Sequence, residues 1–227
     1  MAVAESALIN QQAGLRHLAS GAYGVAALGP EAEAITKDWV FQKIADGYGY
    51  VWCIGSASTP ISWAKTAYDE DQPQVAIRVP LARLFIPISV SLYLETSAGT
   101  LTEVIIGGAE NDIGAGTSTA ATTLATGTER NMRHDNPRTS GLTINHLYTA
   151  NATAATNLRE YERWGYPFAD ATTDPVKRIK WTPITDGEPI FVTGAGTFTI
   201  WIDGTGTAPT GYAIIKGLAL DKVDPLF

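Results

Sequence analysis

The sequence of 227 residues contains a single cysteine, Cys53. One cysteine cannot form a disulfide within its own chain, which excludes the disulfide-stapled class of secreted scaffolds. Cys53 lies in the apolar run YVWCI, and this setting predicts a small core residue rather than a nucleophile. Histidines are also few, at three, and none has HxH or HExxH spacing, so the sequence indicates no zinc site.

Long hydrophobic runs and positive charge are scarce as well. No apolar stretch reaches the length of about 18 residues that spans a membrane, so no membrane partner is expected. The first residues lack the basic start and apolar centre of a signal peptide, which predicts synthesis in a cytoplasm.

Lys and Arg number 16 against 23 Asp and Glu, giving a formal net charge of −7. Proteins that hold nucleic acid are usually basic, so no direct nucleic-acid binding is expected.

Charged residues make up only 17% of the chain, and Thr, Ala, Gly and Ser replace them. Such a surface is common where subunits meet, and equally common in secreted β-proteins. One positive cluster stands out, RNMRHDNPR, which begins at Arg130 and includes Arg133 and Arg138. It is typical of a solvated loop or of a salt-bridge loop between subunits, and these arginines are candidate interface residues.

Alternation of polar and apolar residues gives the clearest structural signal. In residues 85–95 the apolar side chains 86, 88, 90, 92 and 94 point one way, as in a half-buried strand. Similar strands are predicted at 50–54, 101–106, 197–203 and 212–220, separated by Gly, Pro and Asp turns. This pattern predicts an all-β fold, an antiparallel β-sandwich of jelly-roll-like type. We assign it to one domain, 31–227, preceded by an N-terminal arm, 1–30.

Other segments are ambiguous or irregular. Residues 30–45 have apolar side chains at helical spacing, but their aromatic and β-branched content favours a strand. A brief helical turn is predicted at 157–164. Long insertions are predicted at about 107–139 and 150–173, and loops of that length are usually functional or ordered by a partner.

The carboxylates suggest no catalytic site. Glu110 and Asp112 in a Gly-rich loop, or Asp203 with Asp186, offer oxygens for calcium, but none fits the EF-hand pattern. Glu160 and Glu162 are two apart on one segment and do not face each other across a cleft, as glycoside hydrolysis requires. We therefore expect no enzymatic activity, no metal and no cofactor, with these carboxylates solvated.

Aromatic residues give the candidate binding positions. Trp201 alternates with Ile200 and Ile202, so it is predicted to face outward or into another subunit. In a segment predicted to be irregular, an aromatic cluster is formed by Tyr161, Trp164, Tyr166 and Phe168. It is typical of a small core under a loop, an interface anchor or a sugar-stacking platform. At the end of the chain Leu226 and Phe227 are predicted to dock into a groove on the same or an adjacent subunit.

Three features resemble bacteriophage virion proteins. They are the run VPLARLFIPISVSLYLET, the Ala/Gly/Thr-rich stretch after it, and the run GEPIFVTGAGTFTIWIDGTGTAPTGYAIIKGLAL. The resemblance is to jelly-roll proteins of the capsid and extends over about residues 75–220. It implies a β-sandwich subunit present in many copies as a coat, cement (decoration) or spike-base protein; the long helix of the tailed-phage major capsid fold is missing.

The resulting hypothesis is a structural virion protein on or in a bacteriophage capsid, made in the host cytoplasm. Its expected partners are copies of itself, as a trimer or pentamer, and other capsid proteins. Residues 107–140 and the N-terminal arm are the expected contacts. The alternative is a carbohydrate-binding module or receptor-binding adhesin, in which Trp164 and Trp201 would be the exposed aromatics.

Overall fold

Two antiparallel sheets pack face to face in the computed structural model and enclose the main hydrophobic core. The structure describes residues 27–28, 34–35, 39–63, 67–96, 101–120, 128–135, 138–167, 177–184, 188–204 and 208–222. In these ranges the helix is α1 (Trp39–Ala45), and the strands are β1 (Ala27–Leu28), β2 (Ala34–Ile35), β3 (Gly49–Ile54), β4 (Ile61–Ser62), β5 (Val75–Arg78), β6 (Arg83–Thr96), β7 (Leu101–Ala109), β8 (Thr117–Ala120), β9 (Thr128–Asn131), β10 (Thr143–Ala150), β11 (Arg159–Pro167), β12 (Lys177–Trp181), β13 (Val192–Thr193), β14 (Thr197–Gly204) and β15 (Thr210–Asp221).

The strand order defines the two layers. The first sheet has the order β11-β7-β14-β5-β10-β8, and the second has the order β12-β6-β15-β3-β9. In the second sheet β13 also pairs with β6 and β4 with β15, while β1 pairs with β2 apart from both sheets. The pairs among the described strands are antiparallel. The prediction of an all-β antiparallel sandwich is confirmed, whereas the jelly-roll connection stays a prediction.

In β6 alternate side chains face the core, and a bulge changes which of them do so. Leu92 and Leu94 have 0% exposure and belong to the core between the sheets. The alternation predicts Ile86 and Ile88 on the same face, and this is wrong, because both pack on the outer side. A register shift opposite Gly217 places one extra residue in β6. Such a bulge reverses the faces of the strand beyond it.

Helix α1 covers the outer side of the second sheet at that end. Trp39, Val40 and Ile44 pack against Leu218 and Leu220 of β15. The prediction of a strand at residues 39–41 is therefore wrong. The helical spacing of these apolar residues lets one face of a helix meet the sheet, and this contact outweighs the β propensity of the individual residues.

β6 and β7 are consecutive in sequence but lie in different sheets. β6 is a neighbour of β15, and β15 of β3, in the second sheet. β7 pairs with β14 and β11 in the first sheet. The chain therefore crosses from one sheet to the other after β6, and Leu92 and Ile106 meet in the same buried cluster.

The segments predicted as long insertions, 107–139 and 150–173, contain strands. β7 continues to Ala109, β8 extends the first sheet and β9 extends the second. β11 pairs with β7 along its whole length, so the helical turn predicted at 157–164 is wrong. The loops that remain pack Ile113 and Leu158 over the outer side of the first sheet, beside Tyr148.

A chain of aromatic rings crosses the core and links the two sheets. Phe85 of β6 contacts Phe198 of β14 at 5.5 Å between ring centroids, and Phe198 stacks on Trp181 of β12 at 6.1 Å. Trp181 in turn stacks on Tyr161 of β11 at 6.4 Å. Tyr161 therefore belongs to a strand that faces the core, not to an irregular segment.

Candidate interaction surface

The arginines of the predicted cluster differ in their surroundings: Arg133 and Arg138 make contacts within the chain, whereas Arg130 is exposed. Arg133 binds Asp135 through two hydrogen bonds of 2.7 and 3.0 Å and donates to the Ala45 carbonyl oxygen at 3.1 Å. The Arg138 guanidinium lies 4.5 Å from the centre of the Tyr48 ring. These contacts fasten the segment after β9 to the end of α1. Arg130, in contrast, is exposed on β9.

Trp201 is buried, with 1% of its surface exposed, so the prediction that it faces solvent or another subunit is wrong. It does lie on the opposite face of β14 from Ile200 and Ile202, as the alternation indicates. The segment before β5 covers it, and the Tyr68 ring lies 5.7 Å from the Trp201 ring. The chain thus buries this side of the first sheet with its own loop.

The other aromatic candidates are placed only in part. Trp164 on β11 is half-buried and packs against the core cluster. Tyr166 lies on β11 opposite Thr102, which fixes its backbone register only. Phe168, Leu226 and Phe227 lie outside the described residues, as do residues 1–26 of the predicted arm.

The outer side of the second sheet is where the described chain leaves a sheet face uncovered. α1 covers only the half formed by Leu84, Ile86, Leu218 and Leu220. On the other half Tyr93 and Tyr212 lie opposite each other on β6 and β15. Their rings stack with centroids 4.5 Å apart and planes 9° apart. The part of the second sheet that α1 leaves uncovered therefore has a pair of aromatic rings at its centre.

Strand register places apolar side chains beside this pair. Ile214 of β15 lies opposite Cys53 of β3, and the next pair on the same face is Lys216 opposite Val51. Ile214, Cys53 and Val51 are each half-buried. Two adjoining clefts, of about 580 and about 270 Å³, share Cys53 and Arg130 as lining residues. The surface is therefore apolar in the middle and shallowly indented.

Cations surround this apolar centre. Arg178 of β12 lies opposite Tyr93, Lys180 opposite Ser91, and Arg130 of β9 opposite Val51. Residues opposite each other on neighbouring strands share a face. With Lys216, the exposed cations of this surface are Arg130, Arg178, Lys180 and Lys216. We call this surface the basic face.

Within the described ranges no carboxylate forms an ion pair with any cation of the basic face. Arg178 lies 5.4 Å from the centre of the Tyr93 ring. Burial raises the pKa of Tyr212; Tyr93 and Glu95 raise it further, while Arg178 lowers it. Because its four cations have no ion-pair partner in the described chain, this surface carries positive charge, although the protein as a whole is acidic.

Cys53 is half-buried on this outer side, so the prediction that it is a core residue is wrong. β3 has its core-facing positions at Tyr50, Trp52 and Ile54, and Cys53 alternates with them. Burial raises the pKa of its thiol, and the nearby Arg130 lowers it by less. A thiol with a raised pKa is mainly protonated at neutral pH and is a poor nucleophile.

The carboxylates proposed as ligands or catalysts are used in internal contacts. Asp112 forms hydrogen bonds of 2.5 and 2.8 Å with Arg78. Glu110 binds Asn157 at 2.8 Å and Arg159 at 2.5 Å. Among the described residues no group of three or more His, Cys, Asp or Glu is placed to hold a metal ion.

Comparisons with protein families, curated proteins and solved structures find no match to this chain. In the described part of the chain no helix has the length and hydrophobicity needed to cross a membrane.

Sequence reasoning missed the residues that form the basic face. Tyr93 lies on the polar side of the alternating run 85–95, and Tyr212 opens the run 212–220. The alternation alone puts Tyr93 on the outer side. The pairing of β6 with β15, which brings the two rings together, depends on register between strands more than 100 residues apart in sequence.

Proposed function

We propose that this protein is a structural subunit of a bacteriophage virion, without enzymatic activity, that assembles in many copies on or in the capsid as a coat or cement protein. The observation that carries the proposal is the basic face, a sheet surface with half-buried Tyr93, Tyr212 and Ile214 at its centre. Aromatic residues and arginine are enriched where proteins bind each other.

The rest of the described surface supports a role in assembly. The outer side of the first sheet is covered by the chain's own loops through Tyr68 and Ile113, so the second sheet is where the described chain presents bare strands to a partner. The carboxylates Glu110 and Asp112 are engaged in hydrogen bonds between loops, and Glu110, which also lines a cleft of about 370 Å³, is paired there with Arg159. We propose copies of this chain, as a trimer or pentamer, and other capsid proteins as the partners.

The alternative, a carbohydrate-binding module or adhesin, has less support. It rests on an aromatic platform formed by Trp164 and Trp201, but Trp201 is 1% exposed and Trp164 is half-buried against the core. A sugar ring stacks on an open aromatic face, which the buried Trp201 does not offer. We therefore place this alternative second.

The test is the composition of virus particles. Particles are purified from cells that carry the gene, and quantitative mass spectrometry counts this chain relative to the portal protein. The proposal expects many copies per particle that remain bound through density-gradient centrifugation. Particles that contain portal and major capsid protein but lack this chain would overturn it. Saturable binding of the monomer on a glycan array, lost in Trp164→Ala, would favour the alternative.

A further inference from the structure

The outer side of the first sheet carries the opposite charge from the basic face. Tyr68 is 41% exposed and lies at the centre of this surface. Burial raises the pKa of Tyr68, and the carboxylates of Glu70, Glu160 and Asp203 raise it further, against a smaller opposing effect of Arg163. Tyr68 thus lies in a negative electrostatic environment.

Arg163 is the cation near these groups, and its guanidinium is already paired with two of the carboxylates. It forms two hydrogen bonds with Glu160, each 2.7 Å long, and a contact of 3.5 Å with Glu103. Glu70 is exposed beside them on the turn before β5. We call this surface the acidic face; it comprises Tyr68 and the exposed or half-buried carboxylates Glu70, Glu103 and Glu160, with the buried Asp203 near Tyr68.

We infer that the basic face of one copy of this chain docks on the acidic face of a second copy, an inference that rests on the proposed multi-copy assembly. The two faces lie on the outer sides of opposite sheets of the sandwich. Each has exposed or half-buried tyrosine at its centre, with an excess of cations around one and of carboxylates around the other. Opposite charge speeds association and selects the register of binding partners.

Charge also argues against the simpler symmetric arrangement. Two basic faces in contact would place Lys216, Arg178 and their neighbours against the same cations of the partner, and like charges brought together destabilise a contact. A contact between different faces is heterologous. Such a contact repeats from copy to copy and forms a ring when the rotation closes, as a trimer or pentamer requires.

Charge reversal on one strand tests the basic face. Lys216→Glu lies on the basic face, and its matched control Lys222→Glu lies in the turn just after β15, outside the basic face, with the same change in net charge. Sedimentation velocity over a concentration series at low salt measures self-association. We expect Lys216→Glu to weaken association roughly tenfold or more, and Lys222→Glu to leave it near that of the unaltered chain. Equal effects of the two variants would overturn the inference.

Mixing two variants tests the pairing of the faces. One variant carries Lys180→Glu and Lys216→Glu, and the other carries Glu70→Lys and Glu103→Lys. Each alone is expected to lose association, because the first variant has a basic face with as many carboxylates as arginines and the second has lost the excess of carboxylates on its acidic face. In an equimolar mixture the unaltered acidic face of the first variant meets the unaltered basic face of the second, so heterodimers are expected to form. Recovery in the mixture, with melting temperatures unchanged, supports the contact; failure to recover overturns it.

The outcomes separate this inference from the proposed function. An unaltered chain that stays monomeric at low salt and high concentration overturns the inference, while the count of copies in purified particles tests the function independently. Binding of an anionic polymer such as single-stranded DNA to the basic face, with no self-association, also overturns it.

Discussion

Tyr93 and Tyr212 stack almost parallel across β6 and β15, on the side of the second sheet that faces away from the core. Trp52 and Phe198 face the core, whereas this pair lies on the outer side of its sheet and is half-buried. A cross-strand aromatic pair stabilises a sheet, and here the same pair also provides the centre of the basic face.

We expect Tyr212→Ala to lower the free energy of unfolding by about 1 kcal/mol, because the ring contact with Tyr93 is lost. The same variant should also weaken self-association. Tyr212→Phe keeps the stacked ring and is expected to retain the stability. Urea denaturation measures the first effect and sedimentation velocity the second. An unchanged denaturation midpoint in Tyr212→Ala would show that the pair contributes nothing to the fold.

Gly107 of β7 is expected to tolerate no side chain. A Cβ there would lie 2.4 Å from the Arg159 carbonyl oxygen and 3.1 Å from Cζ3 of Trp201. The first of these is backbone of the paired strand, which cannot move aside without disturbing β11. We expect Gly107→Ala to cost about 1–3 kcal/mol of stability.

The same strand pair supplies the control for Gly107. A Cβ at Gly165 would have Leu101 Cδ1 as its nearest neighbour, at 3.7 Å, which is an ordinary contact. Gly165→Ala is therefore expected to be neutral or slightly stabilising. If thermal unfolding shows equal losses for the two variants, the close approach of β11 to Gly107 is not the cause.

The sequence was sufficient to predict the fold class because alternation is a local property. Residues 85–95 and 197–203 lie in strands, β6 and β14, as expected. The bulge beside Gly217 was not predictable, since it depends on pairing with β15 and yet decides the side on which Ile86 lies. Helix α1 was missed for a related reason: its stability comes from packing on Leu218 and Leu220, not from helix propensity.

The candidate site was harder to predict from the sequence than the fold class, because it depends on contacts between segments that are distant in the chain. Alternation placed Trp201 correctly on the outer side of β14, but outer does not mean exposed when a loop returns over the sheet. The loop that carries Tyr68 buries it, and no local pattern marks that contact. The basic face remains open because no described segment covers it, which is again a property of the whole fold.

The pair of Arg78 and Asp112 is expected to hold the loop after β7 against β5. Arg78 donates two hydrogen bonds to the Asp112 carboxylate, which also accepts a bond of 2.8 Å from the Gly114 backbone N–H. We expect Asp112→Ala to cost about 1.5–3 kcal/mol, since charge-assisted bonds of a partly buried group are lost. Asp135→Ala, which removes the exposed pair with Arg133, is expected to cost much less, because solvent screens that pair.

The pH dependence of this contribution has a definite sign. The hydrogen bonds from Arg78 lower the pKa of Asp112 below its ordinary value of 3.8. Because the folded pKa is below the unfolded one, the contribution is complete above the unfolded pKa and is lost as pH falls through the folded pKa. Urea denaturation between pH 7 and about pH 2 is expected to show a shallower acid slope for Asp112→Ala than for the unaltered chain.

His146 is expected to cause a separate loss of stability at mildly acidic pH. It is 2% exposed on β10, and its Nδ1 has no hydrogen-bond partner within the described structure. Burial lowers the pKa of His146 below 6.5, because the charged imidazolium is poorly solvated there. The unfolded chain therefore binds a proton at a higher pH than the folded chain, and the free energy of unfolding decreases as pH falls from 6.5 toward the folded pKa.

This effect can be isolated because it lies above the range where carboxylates titrate. Between about pH 7 and pH 5 the unaltered chain is expected to lose stability, whereas His146→Gln should show a flatter profile even if it is less stable throughout. His134→Gln, at an exposed position after β9, is the matched control and should keep the slope of the unaltered chain. If His146→Gln keeps that slope too, the buried imidazole is not the group that senses pH in this range.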